Sequence, residues 1–257
     1  MEVLKRHGPR GIKSGTLHAW GLIMILLGLV GRGLLLNRLL GIQGLNTLQL
    51  LELMQTTENM TMVTVGLLLQ AAETCAVPIF AFLLVEGFVH SGSRKKYLLR
   101  LLGLAAISEI PFDLALTGQW WDVSVQNPVL GLALGLVVLM LMEMYAGKQF
   151  SKILAKIVIG AVSLLWATML KIDHGPAIMV VVLSLYAVRN KPQFRILWGA
   201  GTSMACSLFS MYYLAAPMGF LPVHLYCGER DEDEKRWARY LAYPVVLLAF
   251  VVAVQFL

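Results

Sequence analysis

Glu86 and His90 stand four residues apart inside an apolar run, and a turn of Ser91, Gly92 and Ser93 then leads into Arg94, Lys95 and Lys96. On a helix that spacing puts the carboxylate and the imidazole on one face, as a general base and its orienting partner require. The same spacing also suits a pair at a helix end that reaches water at headgroup depth. The three cations, with Arg100 further on, suit phosphate oxygens, and Gly92 lets a backbone come close. A loop that only fixes membrane orientation has the same composition. Glu109 and Asp113 repeat the four-residue spacing in "SEIPFDLA", around Pro111. Proline inside a helix removes a hydrogen bond and frees a carbonyl. The segment therefore predicts a bent helix with two carboxylates, tolerated in a bilayer where it is buried in protein or lines a cavity. Kink packing with both acids facing solvent is the alternative. Glu73 and Glu143 receive no role. Lys171 and Asp173, beside His174, read as a short loop that neutralises itself.

The elements that must position these groups are membrane spans. The 257 residues are 58% hydrophobic and 14% charged, against about 45–50% and about 25% in soluble domains. Several runs approach or exceed the length of about 18 residues that marks a transmembrane helix. No alternating barrel strands are visible, so the backbone must satisfy itself as helices. The expected fold is all-α, a single polytopic bundle of about eight transmembrane helices. Spans are predicted at 17–36, 62–89, 97–116, 128–145, 153–170 and 175–188. The apolar run 196–226 is read as two short spans, and a final span covers 240–257. Residues 37–61 suit an interfacial helix or loop, and 228–239 form a charged loop.

The net charge of +6 is explained by topology rather than by nucleic acid. Lys5, Arg6, Arg10 and Lys13, the 94–100 loop, Lys148, Lys152, Lys156, Arg189, Lys191 and Arg195 fall on one side, against Arg32, Arg38 and Lys171 on the other. This bias predicts a cytoplasmic N-terminus. Trp120 and Trp121, in a loop without Lys or Arg, suit an outer aromatic belt. The first apolar stretch is long enough to span and lacks a clear cleavage site, so it reads as an uncleaved helix. Three scattered cysteines form neither a disulfide framework nor a metal site. No metal is expected.

From Pro78 to about Leu136 the motifs "PIFAF", "VEGF", "KYLLRLL", "SEIPFD" and "QN" follow one another. In this order they resemble the TraX family, bacterial membrane proteins grouped with acyltransferase-3-type transmembrane acetyltransferases. A weaker likeness continues through "IDHGPAIMVVVLSLY" and "HLYCGERDEDEKRWARYLAYPVVLL". The resemblance implies a bacterial cytoplasmic membrane, acetyl-CoA as the donor substrate, and an amine or hydroxyl acceptor on a protein N-terminus, a glycan or a lipid. The named member of the family acetylates the N-terminus of conjugative pilin. The family's acids fall on Glu86, Glu109 and Asp113, and its basic turn falls on Arg94 to Lys96. Glu86 and His90 would then be the acid–base pair, and Glu109 and Asp113 would position the acceptor. Arg94, Lys95, Lys96 and Arg100 would hold the donor's phosphates. This chain departs from the pattern where the family has Asp-His in its first helix, with Leu27 and Gly28 instead. It departs again at Thr74 for an arginine, at Cys227 for an asparagine and at Val246 for a histidine. Two other functions fit the same residues: a member that has lost catalysis and acts as a membrane binding protein, and a small transporter coupling ions through Glu109 and Asp113.

Overall fold

The computed structural model describes residues 11–228 and 236–256, so most of the expected charged loop and the N-terminal cations before Gly11 lie outside it. Among the described residues the chain is helical, without a strand. Helix α1, Ser14–Gly28, runs straight into a π-wound segment, Leu29–Leu39. Then come α2 (Thr47–Leu53), α3 (Thr57–Glu73), α4 (Ala76–His90), α5 (Arg94–Thr117) and α6 (Pro128–Met144). Helices α7 (Phe150–Met169), α8 (Gly175–Ala187), α9 (Pro192–Ala205), α10 (Phe220–His224) and α11 (Arg236–Gln255) complete the order.

Helices α4 and α8 form the centre. Ile79, Phe82, Leu84 and Phe88 of α4 and Ile178, Met179, Val181, Val182 and Leu185 of α8 are buried. The two helices pack on each other, with α1 and α6 also against α4 and α7 and α9 also against α8. A helix that is apolar all round must be covered on all sides. By contrast α7 buries only Ser163 and Ala167, and it exposes Ile157, Leu165 and Trp166. That apolar outer face needs a bilayer. Helices 14–39, 57–90, 150–169 and 238–255 are long and apolar enough to cross one. Among the described residues, four is the number that length and composition establish; the expected count of about eight requires shorter helices such as α6 and α8 to cross as well.

The helix boundaries follow from local chemistry. Asn46 and Gln49 cap α2 reciprocally. Asn127 caps α6 through Val129 N–H at 2.9 Å, with Pro128 in the first helical position. Gly118, at φ 74°, ends α5 in the left-handed region that glycine adopts freely. Helix α5 continues through Pro111 rather than stopping there. The 196–226 run does make two legs, but the second is irregular. After α9, short 3₁₀ turns at Cys206–Leu208, Met211–Leu214 and Ala216–Gly219 lead into α10. Pro217 and Pro222 deny this leg a continuous α-helical ladder.

Two small backbone clasps mark the ends of the bundle. At one, Ile12 N–H donates to the Leu225 carbonyl at 2.9 Å and Cys227 N–H to the Ile12 carbonyl at 3.1 Å. At the other, Gln126 N–H donates to Lys171 and Asp173 N–H to Gln126, at 2.9 and 2.8 Å. Because Ile12 sits at the first clasp and Arg32 reaches Asp173 at the second, α1 and its π-wound continuation run the depth of the bundle.

Candidate functional site

A cavity of about 570 Å³ extends from the Ser91–Ser93 turn to Glu73 and His174. Its walls come from α1, α3, α4, α5, α6, α8 and α11. They are apolar through the middle, with Val77, Phe80, Leu84, Leu101 and Leu247, while His90, Arg100 and Arg239 stand toward the turn. A cleft with apolar walls and a few converging polar groups is the usual form of a small-molecule site.

Of the residues expected from sequence, Glu86, His90 and Arg100 line this cavity. The structure does bring Glu86 and His90 together, with Nδ1 3.5 Å from Oε2, but each has another partner. Glu86 Oε1 accepts from Arg195 at 2.5 Å, both side chains being buried. His90 Nδ1 lies 2.9 Å from the Glu86 carbonyl. A carbonyl only accepts, so Nδ1 carries the proton in that bond. Arg195, counted only for topology in the sequence, is thus a buried counter-ion that ties α9 to α4.

The other expected residues lie outside the cavity lining. Arg94 forks onto Glu143, with Nη2 2.9 Å from Oε1 and Nη1 bonded to Oε2, and it stacks over Phe88 at 4.4 Å. Lys95 and Lys96 are exposed. Asp113 is buried, and its Oδ2 accepts from Asp122 N–H at 3.0 Å, so it orders the loop after α5. Glu109, one helical turn earlier, keeps a buried Oε1 without a hydrogen-bond partner.

The far end of the cavity holds residues that the sequence reading passed over. Arg32, from the π-wound segment, grips Asp173 with two bonds, Nη2 to Oδ2 at 2.5 Å and Nη1 to Oδ1 at 3.1 Å. This corrects the expected Lys171–Asp173 neutralisation: Lys171 is exposed, with Nζ 3.5 Å from the Val123 carbonyl. Lys171 and His174 both take left-handed backbone, φ 52° and 55°, each at a cost of about 1–3 kcal/mol. The Gln126 clasp and the Arg32 fork hold this tight turn, which directs Asp173 and His174 toward the bundle interior. His174 Nδ1 lies 2.7 Å from the Tyr213 hydroxyl, and Nε2 lies 3.8 Å from Glu73 Oε1.

Glu73 owes its position to a break in the long 57–90 helix. At that break Thr74 Oγ1 donates to the Ala71 and Tyr212 carbonyls, at 2.7 and 3.1 Å. Gly28 faces the Glu73 carboxylate so closely that a Cβ there would overlap it. In sequence, an arginine within an apolar span is the signal that points to this cluster, since a buried charge in a membrane demands a partner.

Glu73, Asp173 and His174 offer ligand atoms within 4.8 Å of one another, the spread of a metal-binding set. Arg32 engages both Asp173 oxygens and already supplies positive charge there. Chelator treatment is therefore expected to leave the thermal unfolding midpoint in detergent unchanged. A drop restored by one divalent metal would show that an ion belongs to the cluster.

A family model described as TraX protein matches residues 43–254, most of the chain but not α1 or the π-wound segment. No curated protein and no solved structure matches.

Proposed function

The chain belongs to the TraX family, and from that premise we propose that it is a membrane acetyltransferase, moving an acetyl group from acetyl-CoA to an amine or hydroxyl acceptor. The observation that carries this reading is the cavity: through apolar walls it joins a mouth beside Ser91–Ser93, where Arg100 and Arg239 stand, to a buried acid–base cluster. Acetyl-CoA has complementary parts. Its phosphates suit Arg100, Arg239 and the Ser91–Ser93 backbone. Its long, thin pantetheine arm suits the apolar passage beside α4, about 20 Å long at 1.5 Å per residue. The topology belongs to the same proposal. With the N-terminus cytoplasmic in a bacterial inner membrane, the cationic turn opens where acetyl-CoA is made.

In this reading Arg94 shapes the mouth rather than binding phosphate, because Glu143 already holds it. Glu86, fixed by Arg195, sets the wall one helical turn inside the mouth. Asp113 holds the loop that follows α5, and both it and Glu109 lie outside the cavity lining, away from the reacting atoms.

The test uses purified full-length protein in lipid nanodiscs with labelled acetyl-CoA. Slow release of CoA thiol is expected without an acceptor, water taking the acetyl group. Arg100→Gln should raise the half-saturating acetyl-CoA concentration about tenfold, the loss of roughly 1.4 kcal/mol of charge-assisted binding. Saturable acetyl-CoA binding without turnover would favour the catalytically degenerate alternative. Ion-driven flux in proteoliposomes, with no acetyl chemistry, would favour the transporter.

A further inference from the structure

Among the described residues that line the far end of the cavity, two buried polar atoms have no hydrogen-bond partner: Glu73 Oε2 and His174 Nε2. Both residues line the cavity, and Glu73 is only 7% exposed. Buried polar groups are normally satisfied, and those that are not call for an explanation. Their arrangement supplies one. The carboxylate accepts and the imidazole can do either, and Nε2 lies 3.8 Å from Oε1, the other oxygen of the same carboxylate, too far to bond directly. An atom that both donates and accepts, a hydroxyl or an amine, satisfies both groups at once.

We propose that Glu73 and His174 are the catalytic acid–base pair of this chain and that the acceptor's hydroxyl or amine docks between them. The assignment rests on the acetyl-transfer reading and moves the chemistry away from Glu86 and His90. The acceptor's lone pair attacks the thioester carbonyl carbon, and its proton passes to His174 Nε2. The C–S bond then breaks, the acetyl group stays on the acceptor, and the departing thiolate takes the proton from His174 to leave as CoA thiol. Glu73 accepts the second N–H of an amine acceptor, or the hydrogen of a hydroxyl before that hydrogen turns to Nε2, and it offsets the imidazolium charge. Tyr213 is a positioning residue: its hydroxyl holds Nδ1 at 2.7 Å and fixes the ring. Arg32 and Asp173 are positioning residues for the turn.

The charges around the ring set the pH dependence. His174 sits in the turn between α7 and α8. It is faced by Asp173 from its own turn, Glu73 from α3, Arg32 from the π-wound segment, Tyr213 from the 3₁₀ turn, and Tyr243 of α11 near the same carboxylates. Burial lowers the imidazole's pKa and Arg32 lowers it further, but Asp173 and Glu73 outweigh both and raise it above 6.5. A base must be unprotonated to accept the acceptor's proton. Turnover therefore falls as the pH drops through that raised value.

The experiment measures CoA release in nanodiscs with ethanolamine as the acceptor probe, since it offers both an amine and a hydroxyl, and with water alone. His174→Gln and Glu73→Gln should each lower the rate at least a hundredfold, the scale of general acid–base catalysis, while the half-saturating acetyl-CoA concentration stays within threefold. The wild-type acid limb should have its midpoint above pH 6.5 and vanish in His174→Gln. Tyr213→Phe removes only a hydroxyl, so the fold is retained; it should shift that limb to lower pH, because a hydrogen bond that favours the imidazolium is lost. Wild-type rates in His174→Gln and Glu73→Gln, with the acid limb intact, would overturn the assignment while leaving acetyl transfer standing. An inert wild type would overturn the acetyl-transfer reading itself, and this assignment with it.

Discussion

Arg32→Met should cost about 3–5 kcal/mol of stability, the penalty for leaving one buried ion without its partner. The Arg32 guanidinium makes two bonds to Asp173. Without it, the Asp173 carboxylate stays inside the bundle, pinned by its own N–H to the Gln126 carbonyl at 2.8 Å. Its side chain is only 10% exposed, so water replaces the lost bonds poorly. The loss would appear as a lower unfolding midpoint in detergent, or as unfolding at lower denaturant concentration. The double variant Arg32→Met with Asp173→Leu provides the control. Replacing both members of a buried pair with apolar groups is often close to neutral, so the double variant should recover most of the loss. If the two single losses simply add in the double variant, the pair is not energetically coupled, and the role given to Arg32 is wrong.

Gly28→Ala should have the opposite signature, a large loss of turnover with little loss of stability. The new methyl group would take the space of the Glu73 carboxylate. A carboxylate at the end of a flexible side chain can swing aside, so the helix packing tolerates the change. It cannot swing aside and still face His174. The expected result is about a hundredfold loss of CoA release, with a melting midpoint close to wild type. Gly31→Ala gives the contrast. There the added methyl group meets the Gly66 carbonyl at 2.6 Å and the Leu69 Cβ at 2.8 Å. Neither neighbour can move without separating the π-wound segment from α3, so stability falls first. Equal turnover in Gly28→Ala and wild type would show that the position of Glu73 does not matter to the chemistry.

The membrane character, the helical class and the family were all legible in the sequence. Apolar length alone forces helices in lipid, and the motifs from Pro78 to Leu136 lie in the region that matches the family model. The far end of the cavity was not legible, because its pairings join residues 141 and 39 positions apart. Lys171 is the nearest cation to Asp173 in the chain, yet the left-handed turn leaves Lys171 exposed and brings Asp173 to Arg32 instead. Arg94 shows the same limit. Nothing local indicates that Glu143, on another helix, holds the first cation of the basic turn. Pro111 suggested a bent helix within one span at 97–116, and α5 does run through it, anchored at its end by Asn37 and Arg38 donating to the Leu116 and Leu114 carbonyls at 2.8 Å each. Sequence spacing finds pairs within one helix; it does not show which pairs another helix has already claimed.

The last helix has a consequence for how the protein is made. Tyr240, Tyr243 and Leu247 of α11 close one side of the cavity, and Tyr243 donates to the Asn127 side chain at 3.2 Å, beside the start of α6. A nascent chain inserting from its N-terminus places Glu73 and His174 in the bilayer long before this wall exists. Until α11 enters, the passage has an open flank and Asn127 lacks its tyrosine. On the proposed function, the order of synthesis would keep the chemistry silent until the final helix docks: a chain cut short before residue 240 would hold Glu73 and His174 and still lack the wall that Tyr240, Tyr243 and Leu247 supply.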